Sequence, residues 1–536
     1  MTKPASDDST GRPPLFPGRK RLFMASLLFA FLFPYVTWEQ AAGCALLLLL
    51  FNTQILPWLD VDARKEPQTG GEPSKNIALS LGERVASVAS RVRGYLLTLL
   101  SLSPPRAAGA PSPGPRRLVK APVAVHPLPV GEGERPFRVT PDTPTGIVLY
   151  PISVLALVAL YRNHLHIAAA AWAIMALGDG MATVVGEGLT SSWRSRRSGI
   201  AATLPWNRKK TWAGSLSLVV AGTLGAYILT RWIAPKISPG KTLMVCAAAA
   251  LLGAVVESLP LALDDNITVP LVVGAFMFCA YLVERSALDS NLPYLGRRIL
   301  LAIAVNLALA LLAWGLKAAS RSGAICGFFL GTAIYLGYGY KSFLLLFAFV
   351  LLGSAATRLG FRKKAARGVA ERRGGARNWR QALANLLAAA FLAILVITTH
   401  HEAACLIALV AALAEAAGDT VSSEFGQWAS DRAYLITTFK NVPAGEDGGI
   451  SLAGTAAGFT ASAIIMGLGL GLGLCGPYRF AGPTIALVAA AAGNLFDSFL
   501  GATLQRRGLV TNGMVNFVGT SVAGGLALGL ALRLGL

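Results

Sequence analysis

Residues 413–426, LAEAAGDTVSSEFG, close an apolar run and bring three acidic side chains into it. The run begins near residue 402, and apolar runs of about 18 to 25 residues recur from Leu22 to the C-terminus. Each is long enough to cross a hydrocarbon core of roughly 30 Å as a helix, which satisfies its own backbone there. The chain is 54% hydrophobic and 14% charged, with a mean hydropathy of +0.56. We therefore predict an all-α, polytopic integral membrane protein with about 15 transmembrane helices.

The positive charge of the chain is concentrated in a few loops. Counting the predicted spans puts four of them on one side with the N-terminus, namely WRSRR, NRKK, FRKKAARGVAERRGGARNWR and QRR. By the positive-inside rule that side is cytoplasmic, so the formal charge of +21 indicates topology and not nucleic-acid binding. Six isolated cysteines indicate neither a disulfide framework nor a zinc site. We predict an inner (cytoplasmic) membrane protein whose N-terminus and acidic motifs face the cytoplasm.

The predicted spans divide into an anchor pair and two larger parts. Residues 1–60 form an uncleaved transmembrane anchor pair. Residues 61–143 are rich in Pro, Gly and basic side chains and form a cytoplasmic linker. Within it, residues 81–100 are either an amphipathic helix on the membrane surface or part of a disordered tether. Residues 144–290 and 291–536 contain the remaining spans.

The two larger parts share a repeated pattern. GDGMATVVG from Gly178 and GDTVSSEFG from Gly418 are 240 residues apart, and the same offset aligns a later AGS with AGT. Gapless agreement at two places argues against chance. A third acidic element follows at a slightly different offset, around Asp265 and around Asp497. We infer two related catalytic units.

In the first unit, acidic and basic groups gather at the cytoplasmic ends of spans. Asp179 lies several residues inside a span end, where an ionised carboxylate is costly unless a cation partners it. LPWNRKKTWAGS brings lysine, a hydroxyl and glycine to the start of a helix, an arrangement that suits a phosphate. ESLPLALDDNITVPL adds carboxylates typical of magnesium ligands. Together these groups indicate phosphoryl or nucleotidyl transfer, whereas each alone is usually helix packing or a membrane anchor.

In the second unit, the opening motif puts Glu415 and Asp419 four residues apart on one helix face. ASDRAYLITTFKNVPAGEDGGISLAGT then offers a lysine and a run of glycines that resembles a flexible anion cradle. AAAAGNLFDSFLGATLQRRG adds Asp497, and carboxylates buried at these spacings are too costly for packing alone. Basic residues of the loop 361–380 are candidates for holding a phosphate on the acceptor, although the positive-inside rule explains part of them equally well.

The first unit resembles the integral-membrane, CTP-dependent lipid kinases, which include dolichol kinase and phytol kinase. LPWNRKKTWAGS and DDNITVPL carry this resemblance, which covers residues 144–285. Dolichol kinases have an acidic residue where Ala213 stands here, so the phytol kinase branch is the nearer one. The resemblance implies CTP as phosphate donor, an isoprenoid alcohol as acceptor, and Mg²⁺.

The second unit resembles the membrane family that contains phytyl phosphate kinase of tocopherol biosynthesis. The matching segments cover nearly all of residues 297–536 and include GSAAT at Gly353, NWRQALAN at Asn378, LITTFKNVPAG and DSFLGATLQ. Glu446 departs from the family, which more often has a small hydroxyl residue there. Gly449 stands at the position equivalent to Lys209, so Lys440 would have to substitute for that lysine. The resemblance implies phosphorylation of an isoprenyl monophosphate.

These observations predict a fused kinase of lipid metabolism. The first unit would convert a phytol-like membrane prenol to its monophosphate, and the second would make the diphosphate. One alternative is a cytidylyltransferase that forms a CDP-lipid and releases diphosphate from CTP. Another is a polytopic transporter, in which acidic residues of broken helices couple ions. The acidic motifs lie at one membrane face and not at the midplane, which disfavours transport.

The predicted site residues form four groups. The catalytic residues are Asp179, Asp265, Asp419 and Asp497. The magnesium ligands are Asp179, Asp265, Glu415, Asp419, Glu424 and Asp497. The nucleotide-binding residues are Asn207, Lys209, Lys210, Thr211, Gly214, Ser215, Asn266, Lys440, Gly448, Gly449 and Ser451. The residues that hold the acceptor phosphate are Lys364, Arg373 and Arg380.

Overall fold

A computed structural model describes residues 24, 26–50, 145–190, 202–369, 376–476 and 480–536. Within these ranges, eleven helices are long and apolar enough to cross a membrane, and two shorter apolar helices are Trp38–Leu50 and Val148–Leu160. The polytopic helical fold is confirmed, while the count of about 15 spans stays a prediction. Four predicted features lie outside the described residues, namely the linker 61–143, its amphipathic segment, the WRSRR loop and Arg373.

The first of two compact units contains the described residues up to Val283. It begins with a 3-10 helix, Leu27–Tyr35, and α1, Trp38–Leu50. The other elements are α2, Thr145–Leu160; α3, Leu165–Ala173; a π-helical turn, Ile174–Asp179; α4, Gly180–Thr190; α5, Trp212–Ile233; α6, Pro239–Ser258; and α7, Asp265–Leu282. Helix α3 is buried along most of its length because its alanines allow α5 and α7 to pack closely against it.

Short polar side chains start the helices that surround the acidic motifs of this unit. The Thr211 hydroxyl accepts a hydrogen bond from the Gly214 amide at 3.1 Å and so caps α5. The Asp264 carboxylate caps α7 by accepting from the Asn266 amide at 2.9 Å. Each cap satisfies a backbone donor that the first helical turn leaves free. The caps therefore fix where α5 and α7 begin, next to the site.

The second unit contains the described residues from Glu284 to Leu536. Its first helices are α8, Arg285–Gly315; α9, Arg321–Tyr338; α10, Tyr340–Arg358; and the short α11, Phe361–Ala366. They are followed by α12, Trp379–Thr398; α13, Glu402–Ala429; α14, Leu452–Gly471; α15, Ala481–Leu500; a π-helical turn, Gly501–Gln505; and α16, Asn512–Arg533. Helix α13 lies at the centre, packed against α10, α12, α14, α15 and α16. Its run of alanines makes this close surrounding possible.

One non-helical element accompanies the helical fold, because the loop between α13 and α14 folds into a small antiparallel sheet. Its strands are β1, Arg432–Leu435; β2, Asn441–Pro443; and β3, Gly449–Ile450. β1 is the middle strand, with Arg432 opposite Pro443 and Tyr434 opposite Ile450. The strands are only two to four residues long, too short to show an alternating hydrophobic pattern in the sequence.

Candidate active sites

Three carboxylates from separate elements converge in the first unit. Asp179 ends the π-helical turn, Glu257 lies in the last turn of α6, and Asp265 is the first residue of α7. One carboxylate oxygen from each lies within 4.8 Å of the other two. The sequence predicted Asp179 and Asp265 as ligands and placed Glu257 in the same acidic element as Asp265, and the structure brings the three together. Three hard oxygen donors at this spacing fit Mg²⁺.

Lys210 reaches into the same cluster. Its ammonium donates to Glu257 and, at 3.2 Å, to Asp265 Oδ2. Burial favours the neutral amine, but the charges of Glu257, Asp265 and Asp179 outweigh burial and raise the pKa of Lys210 above its ordinary value. A cation is therefore fixed beside the three carboxylates. It is the partner that the sequence analysis required for the Asp179 carboxylate.

The loop that carries Lys210 is fastened to the end of α6. Thr203 and Thr211 pair across it as an antiparallel bridge, and the Leu204 amide donates to the Lys210 carbonyl at 2.9 Å. Asn207 Nδ2 donates to the Ser258 carbonyl at 3.1 Å. This hydrogen bond is made to the residue that follows Glu257, so it also fixes the distance from Lys210 to the Glu257 carboxylate.

The other predicted nucleotide-binding residues of the first unit lie near this loop. Asn207 and Asn266 make hydrogen bonds within the protein, Asn207 to Ser258 and Asn266 to Asp264 at 2.8 Å. Lys209 is exposed, and its amide donates to Asn207 Oδ1 at 3.2 Å. The last group, Thr211, Gly214 and Ser215, lies in the first turn of α5 or caps it. Their contact with a nucleotide stays a prediction.

In the second unit, Glu415, Asp419 and Asp497 meet between α13, α15 and α16. Glu415 is 1% exposed, and neither of its carboxylate oxygens has a hydrogen-bond partner among the described residues; the same is true of Asp497 Oδ2. Gly519 makes room for them, since a Cβ atom there would lie 3.3 Å from Asp497 Oδ2 and would overlap Glu415 Oε1. Buried carboxylate oxygens without a donor need a cation or a proton, so Mg²⁺ binding by these three residues stays a prediction.

Asp419 is held by Asn516, which Asn385 supports in turn, and the sequence analysis marked neither asparagine as a site residue. Asn516 Nδ2 donates to Asp419 Oδ2 at 3.2 Å and to Asn385 Oδ1 at 3.1 Å. Asn516 lies on α16 and Asn385 on α12, so three helices meet through this relay. A polar amide inside an apolar span was the available signal, because such residues are rare in membrane helices without a partner.

Lys364 and Glu424 do not take their predicted roles. Lys364 is fully buried, and its ammonium donates to the carbonyls of Ala356 and Thr357 and, at 2.5 Å, to Glu424 Oε2. All three N–H donors of the lysine are thereby used, so it has none left for an acceptor phosphate. Glu424 is likewise neutralised by the lysine and does not join the carboxylate cluster. The pair fastens α11 to α13.

The glycine-rich loop of the second unit is ordered against the π-helical turn that follows α15. A Cβ atom at Gly448 would overlap Ala502, and Gln505 Nε2 donates to Asp447 Oδ1 at 2.7 Å. Gly449 belongs to β3, and Ser451 caps α14. The prediction of a flexible cradle is therefore replaced by a docked sheet. Two predicted cations are exposed, namely Lys440 and Arg380, which lies over the Trp379 ring.

The repeated glycines make matching contacts in both units. A Cβ atom at Gly186 would meet the hydroxyl that caps α5 at 3.3 Å, and one at Gly426 would meet the hydroxyl that caps α14 at 3.0 Å. In the same register of 240 residues, Glu257 near the end of α6 corresponds to Asp497 near the end of α15. In the repeat, Asp497 therefore corresponds to Glu257, whereas the sequence analysis paired it with Asp265.

The fold and the two carboxylate clusters define a polytopic membrane protein with acidic side chains inside each of its helical units. Residues 304–524 match the integral membrane protein family DUF92. The chain is 34% identical over 204 residues to the uncharacterized membrane protein sll0875 of Synechocystis sp.. The aligned region covers 38% of this chain and 78% of that protein. The chain belongs to the DUF92 family.

Two of the similar proteins are plant proteins, and the name of the second one states an activity. The chain is 36% identical over 216 residues to Protein VTE6, chloroplastic, of Arabidopsis thaliana, covering 39% of this chain and 64% of that protein. It is 33% identical over 147 residues to the probable phytol kinase 2, chloroplastic, of Glycine max, covering 26% of this chain and 46% of that protein. The chain is thus a phytol kinase-like membrane protein. No solved structure matches it.

Proposed function

We propose that this protein is a bifunctional, CTP-dependent isoprenoid kinase of the cytoplasmic membrane. Its first unit phosphorylates a phytol-like prenol, and its second unit phosphorylates the resulting monophosphate. The observation that carries the proposal is the cluster of Asp179, Glu257 and Asp265 with Lys210 beside it, because phosphoryl transfer needs a metal-binding carboxylate set and a phosphate-binding cation together. Similarity to proteins named probable phytol kinase supports the substrate class.

In the first reaction, the prenol hydroxyl oxygen attacks the γ-phosphorus of CTP. The bond from that phosphorus to the β–γ bridging oxygen breaks, and CDP leaves. Asp265, whose side chain is 39% exposed, accepts the hydroxyl proton. The Lys210 ammonium holds the phosphate oxygens. Mg²⁺ bound by the three carboxylates would neutralise charge on the transferred group.

In the second reaction, an oxygen of the prenyl monophosphate attacks the γ-phosphorus of a second nucleoside triphosphate, the bond from that phosphorus to the β–γ bridging oxygen breaks, and the nucleoside diphosphate leaves. This nucleophile is already anionic, so no general base is required. Glu415, Asp419 and Asp497 would hold Mg²⁺, whose charge would lower the repulsion between the two phosphates. The amide relay through Asn516 keeps the Asp419 carboxylate in one orientation. Positioning and electrostatics account for the catalysis, without a covalent intermediate.

The test uses purified protein in lipid nanodiscs with a panel of prenols of increasing chain length. With γ-labelled CTP we expect label in the lipid monophosphate and diphosphate, and unlabelled CDP as the second product. With α-labelled CTP the lipid should stay unlabelled. Label from the α position in lipid, with release of diphosphate, would establish a cytidylyltransferase instead. Solute flux in proteoliposomes without nucleotide turnover would establish a transporter.

The cytoplasmic orientation has its own test. Tyr434 on β1 is 52% exposed and lies outside the predicted site residues. With the six native cysteines replaced, Tyr434→Cys should react with an impermeant thiol reagent only when the reagent has access to the cytoplasmic side. Labelling of intact cells from outside would reverse the proposed topology.

A further inference from the structure

Arg377 is fixed in the second unit by its backbone. Its amide donates to the Ala318 carbonyl, and its carbonyl accepts from the Ser320 amide, both at 3.0 Å. These bonds join the residue to the connection between α8 and α9, directly before Asn378 caps α12. The start of the side chain is therefore held in place before any ligand arrives.

The guanidinium of Arg377 lies beside the carboxylate site. A Cβ atom at Gly353 on α10 would be 3.3 Å from Arg377 Nη2 and equally 3.3 Å from Thr420 Cγ2. The guanidinium thus reaches the level of Thr420, next to Asp419, and its charge acts on the Asp419 carboxyl. Gly353 opens the GSAAT segment and leaves the room that the guanidinium occupies.

This guanidinium makes no hydrogen bond or ion pair with the residues that the structure describes, and no salt bridge of 4.0 Å or less joins it to Asp419. The residue is half-buried, and its guanidinium nitrogens are not among the fully buried unpaired atoms, so water reaches the N–H donors and a ligand can displace that water. A planar array of N–H groups matches the oxygens of a phosphate in a bidentate manner.

The other predicted phosphate-binding cations differ in their surroundings. The donors of Lys364 are all used within the protein, and Arg380 is exposed over the Trp379 ring. An anionic acceptor that enters beside Glu415, Asp419 and Asp497 is repelled by them, so a cation at this position offsets the repulsion. Arg377 lies where that offset is needed.

We infer that Arg377 is the residue of the second unit that binds the phosphate monoester of the acceptor. The inference rests on the proposed function, because it requires a phosphorylated acceptor at this site. The same chemistry also suits a nucleotide phosphate, so the experiment has to separate the two sources.

The experiment compares Arg377→Gln with the wild-type full-length protein in nanodiscs, with prenyl monophosphate and CTP varied in turn. We expect the KM for the monophosphate to rise about tenfold or more, the KM for CTP to change less than about twofold, and phosphorylation of the prenol by the first unit to persist. Arg377→Lys should recover part of the loss, since it restores charge but not the planar donor array. Arg358→Gln, which removes an exposed arginine at the end of α10, is the matched control.

Two further measurements keep the inference testable if Arg377→Gln folds poorly. Gly353→Ala should push the guanidinium by a few tenths of an ångström and raise the KM for the monophosphate in the same direction by a smaller factor. Methylguanidinium added to Arg377→Ala should restore diphosphate formation. A higher KM for CTP alone would assign Arg377 to the nucleotide, and unchanged constants in Gly353→Ala and Arg377→Gln would overturn the inference. Wild-type protein that makes no diphosphate from monophosphate would instead refute the proposed function.

Discussion

Lys210 combines a half-buried position with three acidic neighbours, and that combination determines how it should behave in a titration. Because the pKa of Lys210 is raised, the ammonium persists below that raised value and is lost only as the pH rises through it. We expect the KM for CTP in the first reaction to stay flat from about pH 7 to 10. Lys210→Ala should raise the KM for CTP about tenfold and the KM for the prenol much less. Equal effects on both substrates would contradict the assignment of Lys210 to the nucleotide.

Glu415 is the most deeply buried carboxylate of the second unit, and both of its oxygens lack a donor among the described residues. Glu415→Gln keeps the shape of the side chain and removes the charge that a bound cation balances. We expect the variant to be at least as stable as wild type without metal, and to bind Mn²⁺ at one site about tenfold more weakly. Mn²⁺ binding is followed by electron paramagnetic resonance, with the exposed Glu284→Gln as control. Unchanged Mn²⁺ titrations in Glu415→Gln would exclude this residue from the metal site.

The short helix α11 and the residue that follows it stabilise the C-terminal end of α13. Lys363 donates to the Trp428 carbonyl at 3.0 Å, and Arg367 donates to the Gln427 carbonyl at 3.0 Å. These cations satisfy carbonyls that the end of α13 leaves free and complement the negative end of its dipole. Together with the Lys364–Glu424 pair they hold the C-terminal part of the helix that carries Asp419.

The Lys364–Glu424 pair should be sensitive to the loss of one partner. Lys364→Met leaves a buried carboxylate without its cation, so we expect a loss of about 3–5 kcal/mol of stability in a reversible denaturation assay in detergent. Adding Glu424→Leu should recover most of the loss, because the double change removes both charges. Arg362→Met changes an exposed neighbour on the same helix and should cost less than about 1 kcal/mol. A double variant no more stable than Lys364→Met would show that the pair is not the cause.

The helices could be predicted from the sequence, whereas several side-chain pairings could not. Hydropathy locates spans because lipid requires helices, and the charges of Asp179 and Asp419 are conspicuous inside them. A sequence does not show which charges meet, and Lys364 therefore looked like a ligand although its partner Glu424 lies 60 residues away. Arg377 was hidden for a related reason. It stands in a loop already rich in cations, where its position beside Asp419 depends on the packing of α10 against α13.

At the scale of the whole molecule, each unit holds its own carboxylate cluster, so the two reactions should fail independently. Asp179→Asn should stop formation of monophosphate from prenol yet leave phosphorylation of supplied monophosphate. Asp419→Asn should still form monophosphate from prenol but should stop its conversion to diphosphate. Reconstituting both variants into the same vesicles should restore production of diphosphate from prenol, because the amphiphilic monophosphate stays in the shared bilayer. Lipid products are followed by mass spectrometry. Loss of both activities in Asp179→Asn would refute the two-site arrangement.

Asp419 and Asp497 are 78 residues apart in sequence, on different helices, and lie in the same carboxylate cluster. If they hold one cation together, removing either ligand already abolishes its productive binding. Asp419→Asn and Asp497→Asn should therefore each stop the second phosphorylation and make the monophosphate accumulate, and the double variant should be no worse than either single one. Independent ligands would multiply their separate losses instead. The rate of diphosphate formation from supplied monophosphate decides between these outcomes, with the exposed Asp431→Asn as a control for a carboxylate outside the cluster. Full diphosphate production by Asp419→Asn would remove Asp419 from the reaction centre.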